Sequence, residues 1–297
     1  MGMYMASSMT GFGRYELEKE FGRITVEMKS VNHRYCDITI KLPRKFMWME
    51  PKLRGLLKNY IDRGKLDVYV TYEELADAAG TLAYNRQRAK EYYDMLQLIT
   101  ADLELRPIEV SPTTIARFPE VITVNEPEIE DAWVEEAFTQ AVEEAAVVFK
   151  QSRAVEGEKL TADIMEKLTL IEQRVDAIEK RSPEVVADYR EKLYSKVREL
   201  LGNKELNEAA LATEVTIFAD KICVDEETVR LRSHITNMRD TFAMPGAIGR
   251  KLDFLAQEMN REANTTLSKA NDTEISNIAI DLKTEIEKIR EQIQNIE

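Results

Sequence analysis

Histidine and cysteine are scarce: the 297 residues include two of each, His33 and His234, Cys36 and Cys223. The cysteines lie far apart and outside any CxxC spacing, which argues against a disulfide framework or a cysteine zinc site and suits a reducing cytoplasm. Two histidines leave little room for a His-rich metal centre. No run approaches the roughly 20 apolar residues that a membrane helix needs. The opening MGMYMASSMTGFGR has neither a basic n-region nor a long apolar stretch, so it does not read as a signal peptide. Walker and GxSxG sequences are absent, and neither cysteine has a histidine as sequence neighbour. What the chain does have is charge: 44% hydrophobic and 32% charged residues make a globular composition, at a length for one large or two ordinary domains.

The formal net charge of −13 argues at first against a nucleic-acid partner. Counted by segment, the excess is local. Residues 1–75 hold 13 basic and 10 acidic groups, net +3, whereas residues 76–150 hold 6 and 15, net −9. A phosphate responds to the field within about 8–10 Å at physiological salt rather than to the whole-chain sum. A basic amino-terminal quarter leaves nucleic acid open.

The patterning predicts an α+β fold: a small mixed or antiparallel amino-terminal sheet with helices, then a long all-α half with coiled-coil-like helices. Period-2 alternation marks strands at 24–31, 37–42 and 65–72, with a short strand at 8–15 before them. Pro51 stands just inside a helix running to Ile61, and Asp62-Arg63-Gly64 turns into the next strand. After Gly80 come helices at 85–103 and 130–150, separated by an irregular stretch with Pro107, Pro112, Pro119 and Pro127. From 153 an a/d seam runs through Leu160, Ile164, Leu168, Ile171, Val175 and Ile178. Ser182-Pro183 is expected to break it, with a second helix from 184 to a carboxyl cap at Gly202-Asn203. Further helices are expected at 205–222, 225–241 and 248–264. A final helix carries an isoleucine-rich seam from Ile275 to Ile296, which suits core packing or burial against another subunit. The domains expected are 1–150, an α/β unit for RNA binding and assembly, and 151–297, helical, with the chemistry at about 213–297.

Three groups of residues could carry chemistry. In DFLAQEMNREANTTLSK (253–269), Glu258 and Glu262 share one helix face at i,i+4. Two such carboxylates can share Mg²⁺ or Mn²⁺ through oxygen ligands, or simply form a solvated face. Around 220–240, Glu227, Arg230 and His234 fall on one stripe, suited to acid/base and phosphate-binding work or to a structural histidine. In the amino-terminal sheet, Arg14, Asn32, His33, Arg34, Arg63 and Lys65 sit at strand ends and turns beside serine, asparagine or aromatic residues. That is a surface able to hold phosphates and stack bases, or one of scattered cations. The glycines of GFG permit a tight turn or a backbone close to a ligand.

Those same segments carry a likeness. SMTGFGR (8–14), VEMKSVNHRYCDI (26–38), RGKLDVYV (63–70), IFADKICVDEETVRLRSHI (217–235), GRKLDFLAQEMNREANTTLSKAND (249–272) and EIEKIREQIQNIE (285–297) together resemble the YicC/YloC family, in order and over essentially the whole chain. The resemblance implies a stress-associated bacterial endoribonuclease that depends on a divalent metal, assembles as a hexameric ring and turns over small regulatory RNA. The matching positions are Glu227, Arg230, Arg232, His234, Arg250, Lys251, Glu258, Asn260, Arg261, Glu262, Asn264, Thr265, Ser268 and Lys269, with Arg14, Asn32, His33, Arg34, Arg63 and Lys65. The roles expected for them are inferred. Glu258 and Glu262, with Glu227 or Asp220, would hold Mn²⁺ or Mg²⁺. His234 would move the proton, and Arg230, Arg261 and Lys269 would clamp phosphate. The sheet cations, with Arg232, Arg250, Lys251 and Asn264, would guide single-stranded RNA. The rival reading is a non-catalytic RNA-binding oligomer that delivers RNA to another nuclease.

Overall fold

The computed structural model describes residues 6–61, 63–75, 81–106, 109–125, 129–202 and 206–297. Asp62, Gly80, Pro107, Pro127 and Asn203, assigned above to turns and a helix end, lie outside them. The fold is α+β, as the patterning predicts.

Strands β1 (Gly11–Lys19), β2 (Gly22–Val31), β3 (Cys36–Lys41) and β4 (Gly64–Glu74) form one sheet in the order β1-β2-β4-β3. The β1–β2 and β2–β4 pairs are antiparallel, and β3–β4 is parallel. A parallel neighbour needs a crossover, supplied here by a 3₁₀ turn (Arg44–Met49) and helix α1 (Glu50–Leu57). Alternation sends Ile24, Val26 and Met28 of β2 and Leu66, Val68 and Val70 of β4 to the same buried face.

The helix that covers this face is α4 (Asp131–Leu201), 71 residues and roughly 105 Å long. Its first part packs Val134, Phe138, Ala141, Val142, Ala145 and Phe149 on the sheet. Its middle puts Ile164, Leu168, Ile171, Val175 and Ile178 into a second core. The expected break at Ser182-Pro183 does not occur. Pro183 is exposed inside the helix, Val185 beyond it is still buried, and Arg181 on the preceding turn is held by Glu184, Asp188 and Asp272. Packing on both sides of the proline offsets the one backbone bond it removes. Gly202 ends the helix with φ of 59°.

The GFG glycines serve packing rather than a ligand. A Cβ on Gly13 would stand 2.5 Å from the Ala145 carbonyl oxygen and 2.7 Å from Phe149 Cβ, so only glycine lets β1 lie this close to α4.

Four helices complete the second core: α5 (Glu208–Ile222), α6 (Asp225–Phe242), α7 (Gly249–Lys269) and α8 (Thr273–Ile293). The isoleucine seam of α8 packs inside the chain: Ile275, Leu282, Ile286, Ile289 and Ile293 are buried, with α8 lying on α4 and α7, and Ile278 is half-buried. The tail that follows is sewn to the start of the chain. Met9 N–H donates to Asn295 O at 2.7 Å, Glu297 N–H to Ser7 O at 2.9 Å, and Asn32 Nδ2 to Gln294 O at 2.7 Å. This stitching brings the sheet's basic turns beside α7 and α8. Between the two cores' sequences lies a small unit unforeseen in its strands: α2 (Arg86–Asp102), the short α3 (Pro112–Ala116) and a two-stranded sheet of β5 (Thr81–Tyr84) and β6 (Ile122–Asn125).

Candidate RNA-cleaving and phosphate-binding sites

Helices α6 and α7 pack along their apolar stripes, Leu231, Ile235 and Met238 against Leu252, Leu255, Ala256, Met259 and Ala263. Two ion pairs cross the same interface. Glu227, 4% exposed, accepts a hydrogen bond from Lys269 Nζ at 2.8 Å; Glu262, 3% exposed, faces Arg230 at 3.4 Å. Carboxylates buried this far are retained only when paired. The pairing runs antiparallel, so advancing along α6 means going back along α7. One turn on from Arg230 is His234, and one turn back from Glu262 is Glu258, so both stand one turn further along the interface from the Arg230–Glu262 pair. Both are half-buried. The Nδ1 of His234 is buried without a hydrogen-bond partner, and so is the second oxygen, Oε2, of Glu227. Buried polar atoms left without partners are rare. Six such atoms occur among the described residues, and these two are the ones on the α6–α7 interface. The paired charges shift as their neighbours demand: the Glu227 hydrogen bond holds the Lys269 ammonium above its ordinary value, and the charges of Glu226 and then Glu262 do the same for Arg230.

Among the described residues, no three His, Cys, Asp or Glu side chains stand together as a metal-binding group. Glu227 and Glu262 are each already engaged by a cation, and Asp220 belongs to α5. Of the carboxylates expected to hold Mn²⁺ or Mg²⁺, Glu258 is the one on the α6–α7 interface with no ion pair among the described residues.

Two of the expected RNA ligands are committed elsewhere. Arg232 points to α4, where it is bound by Asp176 and, at 2.7 Å, by Glu179; these carboxylates neutralise it. Arg14 pairs across the strands with Glu16 at 2.5 Å and Glu27 at 3.2 Å. Lys65 has Asp67 at 3.9 Å, and Arg34 stacks on the Tyr35 ring at 5.4 Å while His33 Nδ1 contacts Tyr35 O at 3.1 Å. Asn264 bonds Asn260 at 3.1 Å on the exposed side of α7. Arg250 and Arg261 are exposed and make no ion pair among the described residues, and Lys251 Nζ contacts Met244 Sδ at 3.2 Å.

The stitched tail gathers a second set. A cavity of about 280 Å³ is lined by Asn32 and Arg63 from the sheet, Arg250 and Asp253 from α7, and Arg290 and Gln294 from the carboxyl end. Residues expected to bind RNA from opposite ends of the chain thus share one pocket. Arg290, held by Asp253 at 3.3 Å and Glu287 at 3.5 Å, was not expected there. Its only signal was membership of the charged face opposite the isoleucine seam.

Comparison with known proteins agrees with this layout. Residues 6–162 match the family model described as Endoribonuclease YicC-like, N-terminal region, and residues 178–297 match Endoribonuclease YicC-like, C-terminal. A Clostridioides difficile (strain 630) protein named "Probable endoribonuclease YicC" is 42% identical over 294 residues, covering 99% of this chain and 100% of that one. A Haemophilus influenzae protein of the same name is 34% identical over 293 residues, covering 99% and 100%. With both family regions matched in order and these relatives aligned end to end, this chain belongs to the YicC family.

Proposed function

We propose that this protein is an endoribonuclease that cuts single-stranded or small regulatory RNA, with the reacting phosphodiester over the α6–α7 interface. The observation that carries this is the ladder of Glu227–Lys269 and Arg230–Glu262 pairs with unpartnered His234 on the next rung. Arg230 and Lys269 offer cationic hydrogen-bond donors to a phosphate. Glu226, Glu227 and Glu262 fix their direction, so little reorganisation is needed when substrate arrives. His234 is the proton-transfer group, with Glu258 on the neighbouring helix. The family names of the relatives support the RNA-cleaving part of this reading.

The expected Mn²⁺ or Mg²⁺ belongs to this proposal with Glu258 as a ligand; the remaining donors would come from RNA phosphates or from a second copy. The proposed assembly is a homo-oligomer, expected as a hexamer.

The test is cleavage of a short RNA by Glu258→Gln, Glu262→Gln and His234→Ala variants, with RNA binding measured separately. Cleavage falling about 100-fold with binding kept is the expected result. Wild-type turnover in all three overturns the site. EDTA followed by Mn²⁺ or Mg²⁺ decides the metal: EDTA-resistant cutting that leaves 2′,3′-cyclic phosphate ends removes it from the reading. Binding without cutting under either metal makes the protein an adaptor.

A further inference from the structure

We infer that the cavity between Arg63, Arg250 and Arg290 takes a terminal phosphate of the RNA, anchoring one end while the chain is cut at the α6–α7 interface. This rests on RNA being the substrate, as proposed above. Each arginine comes from a different element: Arg63 from the turn entering β4, Arg250 from the first turn of α7, Arg290 from the last turn of α8. Against them stand the lining carboxylate Asp253 and, from outside the lining, Glu287 on Arg290, so three positive charges meet two negative ones, net +1. A phosphodiester inside an RNA chain carries a single negative charge, whereas a terminal phosphate monoester carries about −1.5 to −2 at pH 7. With roughly half a positive charge from the uncapped α7 amino terminus, the pocket's field suits the terminal group.

Its geometry is prepared as well. Asp253 and Glu287 fix Arg290, while Arg63 is steadied by Nε donating to His33 O at 3.2 Å, which leaves its terminal nitrogens for a ligand. Arg250 is exposed and makes no ion pair among the described residues, so it can close on an anion. The α7 amino terminus reinforces the field: it has no side-chain cap and no acidic residue in its first turn, unlike α6 with Asp225, Glu226 and Glu227. The volume of about 280 Å³ admits a terminal nucleotide's phosphate and part of its sugar and excludes a folded duplex.

Position gives the pocket a consequence. Arg250 precedes Glu258 by eight residues and Glu262 by twelve on one helix, about 12 and 18 Å along its axis. An RNA end held at Arg250 would place a bond a few nucleotides inward over the ladder, so the cut is measured from the end.

The test uses the full-length protein and ten-nucleotide RNAs with 2′-O-methyl backbones, which bind without being cut. Fluorescence anisotropy compares versions ending in 5′-hydroxyl, 5′-phosphate and 3′-phosphate. Wild type should bind one phosphate-ended version at least about ten-fold tighter than the hydroxyl version, and Arg250→Ala and Arg63→Ala should abolish that preference. Arg250→Lys should restore part of it, which separates a charge effect from misfolding. Equal binding of all three RNAs, or a preference that survives both alanine variants, overturns the inference. Because the readout is binding, loss of the proposed nuclease activity would leave this result standing. Cutting without end preference would remove the pocket alone.

Discussion

Lys269 Nζ donates to Glu227 Oε1 at 2.8 Å, while the other oxygen of that carboxylate is buried without a partner. Lys269 is therefore the hydrogen-bonded counter-ion of a charge that is almost fully removed from water, with Arg230 acting on it from farther off. Lys269→Met should strand Glu227 and cost about 3 kcal/mol of stability at neutral pH. The double variant Glu227→Gln/Lys269→Met should recover much of the loss. Urea unfolding of Glu227→Gln, Lys269→Met and the double variant at pH 7 reads this; losses that simply add in the double variant would mean the pair is not coupled.

Gly13 tests the contact that joins the sheet to α4. The methyl of Gly13→Ala would meet backbone at Ala145 and Phe149, neither of which can rotate away. Separation of β1 from the helix should cost about 1–3 kcal/mol. The expected signature is a lower urea midpoint with the α6–α7 chemistry unchanged in the molecules that remain folded.

Why some of this was readable and some was not follows from range. Ile24, Val26 and Met28, or Ile275 through Ile293, alternate with a period that one element dictates, so local spacing finds the strand or helix. Pro183 shows the limit. Its local preference says stop, yet residues such as Val185 and Arg181 make their contacts with α8 and its cap, far along the chain, and these decide for continuity. The weak strands β5 and β6 pair across some 40 residues and have no run long enough to signal alone. In the candidate site, Glu227, Arg230 and His234 were on one stripe by spacing, as were Glu258 and Glu262. That the stripes face each other, that Arg232 turns away to Asp176, and that Arg63 meets Arg250 are facts of tertiary register. Spacing within one helix cannot supply them.

Pro183 is exposed, so replacing it removes no packing. Pro183→Ala restores a backbone donor in mid-helix and should stabilise the protein by about 1–3 kcal/mol. A rise in the unfolding midpoint with unchanged helical circular dichroism is the expected outcome. A fall would show that the proline itself supports the path of α4.

The small unit of α2, β5 and β6 exposes Leu82, Tyr84, Met95, Leu98, Leu103 and Val124. A second copy of this chain is the occupant consistent with the proposed oligomer. Leu98→Glu should lower the mass seen by light scattering toward that of one 34.2 kDa chain while the fold is kept. An unchanged mass would place assembly on another face.

Asp272 links three elements and ties the fold to pH. Its Oδ1 accepts from the backbone of Glu274 at 3.0 Å and Ile275 at 3.1 Å, capping α8, and its Oδ2 accepts from Arg181 of α4 at 3.0 Å. The Arg181 hydrogen bond, with the backbone donors, holds the carboxyl below its ordinary value despite partial burial. A carboxyl depressed in the folded state adds stability that is fully present above its unfolded pKa, about 3.9, and is lost as pH falls through the folded value. Asn is also a good amino-terminal cap, so Asp272→Asn keeps the α8 bonds and loses the Arg181 pair, because its amide nitrogen cannot accept from the guanidinium. Asp272→Ala loses the cap as well and should be about 1 kcal/mol less stable than Asp272→Asn at every pH. The gap between wild type and Asp272→Asn should therefore be widest at about pH 6–7 and shrink in acid as the carboxyl protonates, while the alanine variant stays below the asparagine one. Urea denaturation across that range separates the two. A wild-type to asparagine gap that stays constant into acid would mean that the Arg181–Asp272 charge pair contributes nothing and that the cap alone anchors α8.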